Sequence, residues 1–213
     1  MKKNSWLFGL VVCILAFGFL FTGCDSSSDG GGGGGGGSSS GSAELSFSNE
    51  QVYTVGEDWD NLYIPYTGSM QVTSNLGVSG SITSGKFSFA IGEPANLKGL
   101  DFTDLFPGAS MSPVDVQGAI ITFNNESLVK SDGGMSGSNI TQEEVFYCYV
   151  DRSCTIAIPA MTQDGITFLA TTLKLGEGWN AINQKISGSM TTMTGTAEFK
   201  IVDFSYGKWV IVN

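Results

Sequence analysis

From residue 43 onward, apolar and polar positions alternate in short runs separated by clusters of Gly, Asn, Asp and Ser. Leu45 to Phe47, Gln51 to Val55, Leu62 to Tyr66, Met70 to Thr73 and Gly85 to Ile91 come first. Ala119 to Phe123, Val145 to Val150, Thr155 to Ile158, Ile166 to Leu175, Trp179 to Ile186, Thr196 to Val202 and Lys208 to Val212 follow. Period-two alternation sends successive side chains to opposite faces, the pattern of a half-buried strand. Strands at this spacing, with almost no helical periodicity between them, predict an all-β domain over residues 43–213. The expected architecture is an antiparallel β-sandwich, with a β-barrel as the alternative. One short helix is expected where Leu97, Leu100 and Leu105 recur before Pro107-Gly108. Thr141-Gln142-Glu143-Glu144 has the spacing of a capping box, but Val145 to Val150 behind it are β-formers, so this stretch reads as a strand.

The pattern also repeats. Val55 to Met70 aligns without gaps on Leu175 to Met190, matching Gly56/Gly176, Glu57/Glu177, Trp59/Trp179, Gly68/Gly188, Ser69/Ser189 and Met70/Met190. The shared unit reads as strand, Gly-Glu turn, Trp-led strand and a Gly-Ser turn into another strand, with Trp59 and Trp179 expected at equivalent core positions. Similarity fades on both sides, which leaves open a reused hairpin or a duplicated β-unit.

The first residues follow another pattern. Lys2 and Lys3 precede an uncharged apolar run from Trp6 to Phe21, which ends in Phe21-Thr22-Gly23-Cys24. This tetrapeptide resembles the lipobox of bacterial lipoproteins, with Phe21 where leucine is usual. The resemblance covers the N-terminal tenth of the chain. It implies a signal peptide over residues 1–23 and a diacylglycerol anchor, with acyl chains such as palmitate, on Cys24. The alternative is an uncleaved membrane anchor with Cys24 incidental. Residues 25–42 contain only Asp, Ser and Gly, with Gly30 to Gly37 uninterrupted. Such a segment has no apolar surface to bury and reads as a flexible tether with a reach of about 23–25 Å. The expectation is a membrane lipoprotein of the bacterial envelope, periplasmic or at the cell surface. Asp25 resembles an inner-membrane retention signal of enteric lipoproteins, a rule that varies between lineages, so both membranes stay open.

Composition then narrows the chemistry. The 213 residues contain no histidine, which excludes Ser-His-Asp and Cys-His nucleophile systems and His-ligated metals. Lys+Arg number 10 against 20 Asp+Glu. Loss of residues 1–23 removes Lys2 and Lys3 and no acid, leaving 8 against 20, a formal charge of −12. Such a body repels polyphosphate and anionic headgroups alike, so no nucleic-acid partner is expected, and membrane attachment falls to the lipid. No cofactor is implied beyond that lipid.

Few residues stand out as candidate sites. Cys148 and Cys154 form a possible disulfide in an exported chain, provided a five-residue hairpin loop sets them face to face; a two-residue turn would put them on opposite faces. Glu57, Asp58, Asp60 and Asn61 crowd oxygen ligands into one loop suited to Ca²⁺, although the repeat copy Glu177-Gly178-Trp179-Asn180 keeps only Glu57 as a carboxylate and a solvated turn explains them as well. Ser127-Leu128-Val129-Lys130 has the Ser-x-x-Lys spacing of penicillin-recognising enzymes, but it lies in a strand-like run and the chain has no Lys-Thr-Gly. A carboxylate pair remains the most accessible catalytic chemistry, and spacing nominates no catalytic residue. Trp59, Tyr63, Tyr66, Trp179 and Trp209 are candidates for stacking on sugars or for the core. The leading expectation is a lipid-anchored binding or interaction module with a protein or glycan ligand. A carboxylate-dependent glycoside hydrolase or carbohydrate-binding domain, and a structural envelope component, are the alternatives.

Overall fold

A computed structural model of the chain describes residues 41–56, 62–100, 108–124, 127–163 and 165–212. They form β1 (Leu45–Val55), β2 (Tyr63–Pro65), β3 (Met70–Thr73), β4 (Ser79–Thr83), β5 (Lys86–Ile91), β6 (Lys98–Gly99), β7 (Ser110–Ser112), β8 (Gln117–Ile121) and β9 (Leu128–Ser136). Next come β10 (Asn139–Val150), β11 (Cys154–Ile158), β12 (Met161–Gln163), β13 (Ile166–Phe168), β14 (Thr171–Leu175), β15 (Gly178–Ser189), β16 (Thr194–Val202) and β17 (Lys208–Ile211). The fold is all-β, as the alternation predicts.

One large sheet runs in the order β12-β13-β16-β15-β10-β9-β17-β1-β5-β4-β3, and β7, β11 and β14 make a second sheet. Most neighbours are antiparallel; β1 with β17 and β13 with β16 are parallel. The large sheet does not close, since its path ends in β12 at one side and β3 at the other, so the barrel alternative does not hold. It bends instead at β1. The N-terminal half of this strand pairs with β5 and its C-terminal half with β17 and β2, with a register break between Phe47 and Glu50. Asn49 in that break has a φ of 56°, a conformation asparagine tolerates better than most residues.

Alternation along the central strands feeds two cores. Val145, Tyr147 and Tyr149 of β10, with Trp179 and Ala181 of β15, enter a core with Phe47, Phe87, Phe123 and Trp209 inside the bend. Cys148, Val150 and Ile182, from the opposite face, enter a second core with Cys154, Ile156, Leu173 and Leu175 of the small sheet. The second core is a sandwich interface, because two apolar sheet faces are buried against each other. In the first, the Trp209 ring meets Phe87 at 4.6 Å, Phe47 at 4.8 Å and Phe123 at 5.4 Å between centroids, edge to face. Such contacts each add about 0.5–1.5 kcal/mol beyond burial.

Three expectations change. The helix expected across Leu97 and Leu100 is absent from the described part of that stretch: Lys98–Gly99 is extended and pairs with β8, while Leu105 lies outside the described residues. The segment joining Cys148 to Cys154 is no hairpin of either loop length. β10 and β11 belong to different sheets, so residues 151–153 carry the chain from one layer to the other. The two copies of the repeat are arranged differently: residues 57–61 of the first lie outside the described residues, and Gly188-Ser189 of the second end β15 instead of forming a turn. β1 and β2 pair as antiparallel neighbours, whereas β14 and β15 lie in separate sheets.

Candidate functional site

The bend-side face of the central sheet is apolar at one end and polar at the other. On β10 the inward positions run Tyr149, Tyr147, Val145 and then Glu143; on β15 they run Trp179, Ala181 and then Asn183, Lys185. On β16, Val202 gives way to Lys200 and Glu198, paired with Asn183 and Lys185. The residues between β16 and β17 fold back over this boundary. Within that loop Phe204 packs on the first core, and Gly207, at a φ of 82°, turns the chain into β17.

Glu143 is the hub of the polar end. Its Oε2 accepts hydrogen bonds from the Tyr206 hydroxyl and from Asn183 Nδ2, the latter at 2.7 Å. Its Oε1 lies 3.9 Å from Lys185 Nζ, which is also 4.0 Å from Glu198. Asn183 is fully buried, and its Oδ1 has no hydrogen-bond partner among the described residues. An unpaired buried acceptor of this kind costs about 1–3 kcal/mol, and natural folds carry few of them. Directly across the ladder from Glu143 stands Asp132 of β9. Lys208 Nζ donates to Asp132 Oδ1 at 2.7 Å and sits 4.8 Å above the Tyr63 ring. Lys200 Nζ covers the Tyr206 ring at 5.2 Å.

The electrostatics fix the protonation of both tyrosines. Burial, reinforced by the Asp132 charge, pushes the Tyr63 hydroxyl up to about 12. The hydrogen bond to Glu143, followed by burial, raises that of Tyr206 to about 12. Both remain neutral donors at physiological pH. The patch therefore presents two carboxylates, two phenol groups and partly exposed ammonium groups, over a buried amide whose oxygen has no partner among the described residues.

Beside it lies a buried ion pair with a structural role. Lys130 Nζ, with no side-chain exposure, donates to Glu50 Oε2 and to the Phe204 carbonyl, both at 2.7 Å. It also lies 5.2 Å from the Phe47 ring centroid and 5.4 Å from that of Trp209. Burial lowers its pKa, and Glu50 offsets that effect. Trp209 Nε1 donates to the same Glu50 oxygen at 2.8 Å. The Ser-x-x-Lys spacing thus carries no penicillin-type chemistry: Ser127 Oγ bonds the Asn124 carbonyl while Lys130 serves the core.

The other sequence candidates separate. Trp179 and Trp209 are core, with Trp179 Nε1 donating to the Gly92 carbonyl at 2.9 Å. Tyr66 packs against the first core, and Tyr63 joins the polar patch. Cys24, Glu57, Asp58, Trp59, Asp60 and Asn61 lie outside the described residues. Among the described residues no three His, Cys, Asp or Glu side chains come together as a metal site. Cys148 and Cys154 are both buried free thiols in the second core. Reading along the sequence did not single out Glu143, Asn183, Tyr206 or Asp132. The available signal was the change from apolar to polar on alternate positions of β10 and β15. No family model, no curated protein and no solved structure matches this chain.

Proposed function

We propose that this chain is a lipid-anchored binding module of the bacterial envelope, and that its ligand is a glycan held at the patch formed by Tyr63, Asp132, Glu143, Tyr206 and Lys208. One observation carries the ligand class: donors and acceptors are interleaved at the polar end of the central sheet. Sugar hydroxyls donate and accept at once, so they suit a surface that mixes carboxylate, ammonium and phenol groups. Lys185, Lys200 and Lys208 stand among Glu143, Glu198 and Asp132, so both signs of charge are present at the patch.

The anchor rests on Phe21-Thr22-Gly23-Cys24 and the Gly/Ser stretch behind it. A Cys24→Ser chain is expected to lose membrane partition and metabolic acyl labelling; retention of both would refute lipidation at Cys24. For the ligand, the detergent-solubilised full chain is melted against envelope and host glycans. A glycan at 100 times its Kd adds about 2.7 kcal/mol of stability. A shift with at least one glycan supports the reading, and none across the panel counts against it. A second reading, a carboxylate-dependent glycoside hydrolase, rests on Asp132 directly opposite Glu143. Opposed residues have Cβ atoms about 4.5–5.5 Å apart. New reducing ends from a bound glycan would favour that reading, and binding without turnover the module.

A further inference from the structure

The two cysteines of the β domain occupy facing layers of one core. Cys148 alternates with Val150 on the face of β10 that looks toward the small sheet, and Cys154 alternates with Ile156 and Ile158 on β11 of that sheet. Across most of a sandwich the sheets lie about 10 Å apart, too far for a disulfide, which needs Cα atoms about 4.4–6.8 Å apart. The cysteines sit at one end, where the layers are joined twice. Residues 151–153 connect β10 to β11, and Gly176 and Glu177 connect β14 to β15. The two connections touch, because the Glu177 amide donates to Ser153 Oγ. Asn180, paired with Cys148 in the ladder, clamps the second one: its Nδ2 donates to the Gly176 and Gly178 carbonyls at 2.8 and 2.9 Å, and its Oδ1 accepts from Gly176 N. Cys154 pairs with Leu175 at the mouth of the same corner.

We propose that Cys148 and Cys154 form a disulfide across the two layers when the chain folds in the presence of a disulfide oxidant. The thiolate of one cysteine attacks the oxidant's S–S bond, giving a mixed disulfide and one thiol. The thiolate of the other attacks the protein sulfur of that mixed disulfide and releases the second thiol. Two protein thiols are oxidised and one oxidant disulfide is reduced to two thiols, with both thiol protons passing to the released sulfurs or to solvent. In the folded chain both sulfurs are buried, and burial raises Cys148 to about 12 and Cys154 to about 11, with Cys154 adding to the effect at Cys148. Few thiolates are then available, so the exchange belongs to folding, before the second core closes.

The oxidising compartment follows from the export reading, and two arms separate the two claims. In the first, reduced full chain is refolded with oxidised and reduced glutathione. In the second, the chain is expressed with its own N-terminus in a bacterial host. Both are then denatured in N-ethylmaleimide, which reaches the buried thiols. Both are digested with trypsin without reduction. Arg152 lies between the cysteines, so cleavage puts Cys148 in 131–152 and Cys154 in 153–174. The expected product in both arms is one linked pair of peptides, 2 Da lighter than the sum of the separate peptides and split by dithiothreitol. Two unlinked, alkylated peptides after refolding would overturn the proposal. A linked pair after refolding, with alkylated peptides from the expressed chain, would uphold the disulfide and overturn the export reading. Dithiothreitol is expected to lower the melting temperature of the refolded chain and to leave that of the Cys148→Ala/Cys154→Ala chain unchanged. If that variant does not fold, the peptide map of the wild type decides alone.

Discussion

Replacing Glu50 by alanine strands a charge. The Lys130 ammonium has no solvent exposure, while the Glu50 side chain keeps 30 % of its own, so the two ends of the pair are unequal. In Glu50→Ala, Lys130 retains the Phe204 carbonyl and the faces of Phe47 and Trp209, but loses its counter-charge, and Trp209 Nε1 loses its acceptor. Removing one partner of a buried ion pair costs about 3–5 kcal/mol, and the orphaned indole draws on the same rearrangement rather than adding in full. Lys130→Met leaves a carboxylate that water reaches and that Trp209 still bonds, within a pocket of matching volume; about 1–2 kcal/mol is expected. The difference, about 2.5 kcal/mol at the middle of both ranges, is some 5–10 °C in melting temperature for a domain of this size. Urea melts of the full chain read it as a shift in midpoint at constant slope. The pH dependence carries a sign. Lys130 is depressed below 10.5 by burial, and Glu50 holds it up, so the variant depresses it further. Between the folded and unfolded pKa the unfolded chain holds the extra proton, so stability rises with pH through that window. The gap between wild type and Glu50→Ala therefore narrows as pH rises toward 10.5. A Lys130→Met loss equal to or larger than that of Glu50→Ala, or a gap that widens with pH, would refute the buried-charge argument.

Other perturbations test other parts of the structure. Gly178→Ala drives a Cβ into the Ser42 carbonyl at a φ of 100°, where Ser42 and Trp179 exchange backbone bonds of 2.9 and 2.7 Å. A loss of about 1–3 kcal/mol is expected, with faster hydrogen exchange at the Ser42 and Trp179 amides. Tyr206→Phe keeps the ring but removes the donor to Glu143, at about 1.5–3 kcal/mol for a bond to a charged group, read by urea melts. At alkaline pH the buried acids act together. Cys148 at about 12, Cys154 at about 11 and Tyr63 at about 12 stay protonated in the folded chain after the unfolded chain has lost those protons. Their stabilisation is complete below about pH 9 and is lost from there toward 12, by about 1.4 kcal/mol per pH unit per group. Once Cys148 and Cys154 are bonded they do not titrate, so alkaline unfolding of the oxidised chain begins nearer pH 10 than 9.

Local pattern carried the class of fold. The stretches around Met70–Thr73, Cys154–Ile158 and Lys208–Ile211 are legible as strands because their apolar side chains alternate or branch at Cβ. β9 was not legible over its length: Ser131-Asp132-Gly133-Gly134 has no β-branched residue and reads as a loop, yet it is held by ladders to β10 on one side and to β17 at its start. The long run Ile166 to Leu175 hides a change of sheet, since β13 joins β16 and β14 joins β11. Periodicity reports that a residue is buried but not against which layer, so the crossing at residues 151–153 had no signal of its own. The candidate site was hidden for the same reason. Glu143, Asn183 and Tyr206 lie 40 and 63 residues apart along the chain, counted from Glu143, and meet only through pairing and a folded-back loop.

Equilibrium binding of a glycan panel to the detergent-solubilised full chain and to Tyr63→Ala/Lys208→Ala tests the proposed site most directly. Both side chains are partly exposed, and Lys208 stands over the Tyr63 ring, so the substitutions remove ligand-facing groups while leaving Glu143 and its partners in place. A Leu169→Ser chain, altered at an exposed residue outside the patch, serves as the control. The expected result is a glycan that binds the wild type and the control alike and binds the double variant at least tenfold more weakly, about 1.4 kcal/mol. A glycan bound equally by all three chains, or no binding to the wild type anywhere in the panel, would contradict the assignment of this patch as the binding site.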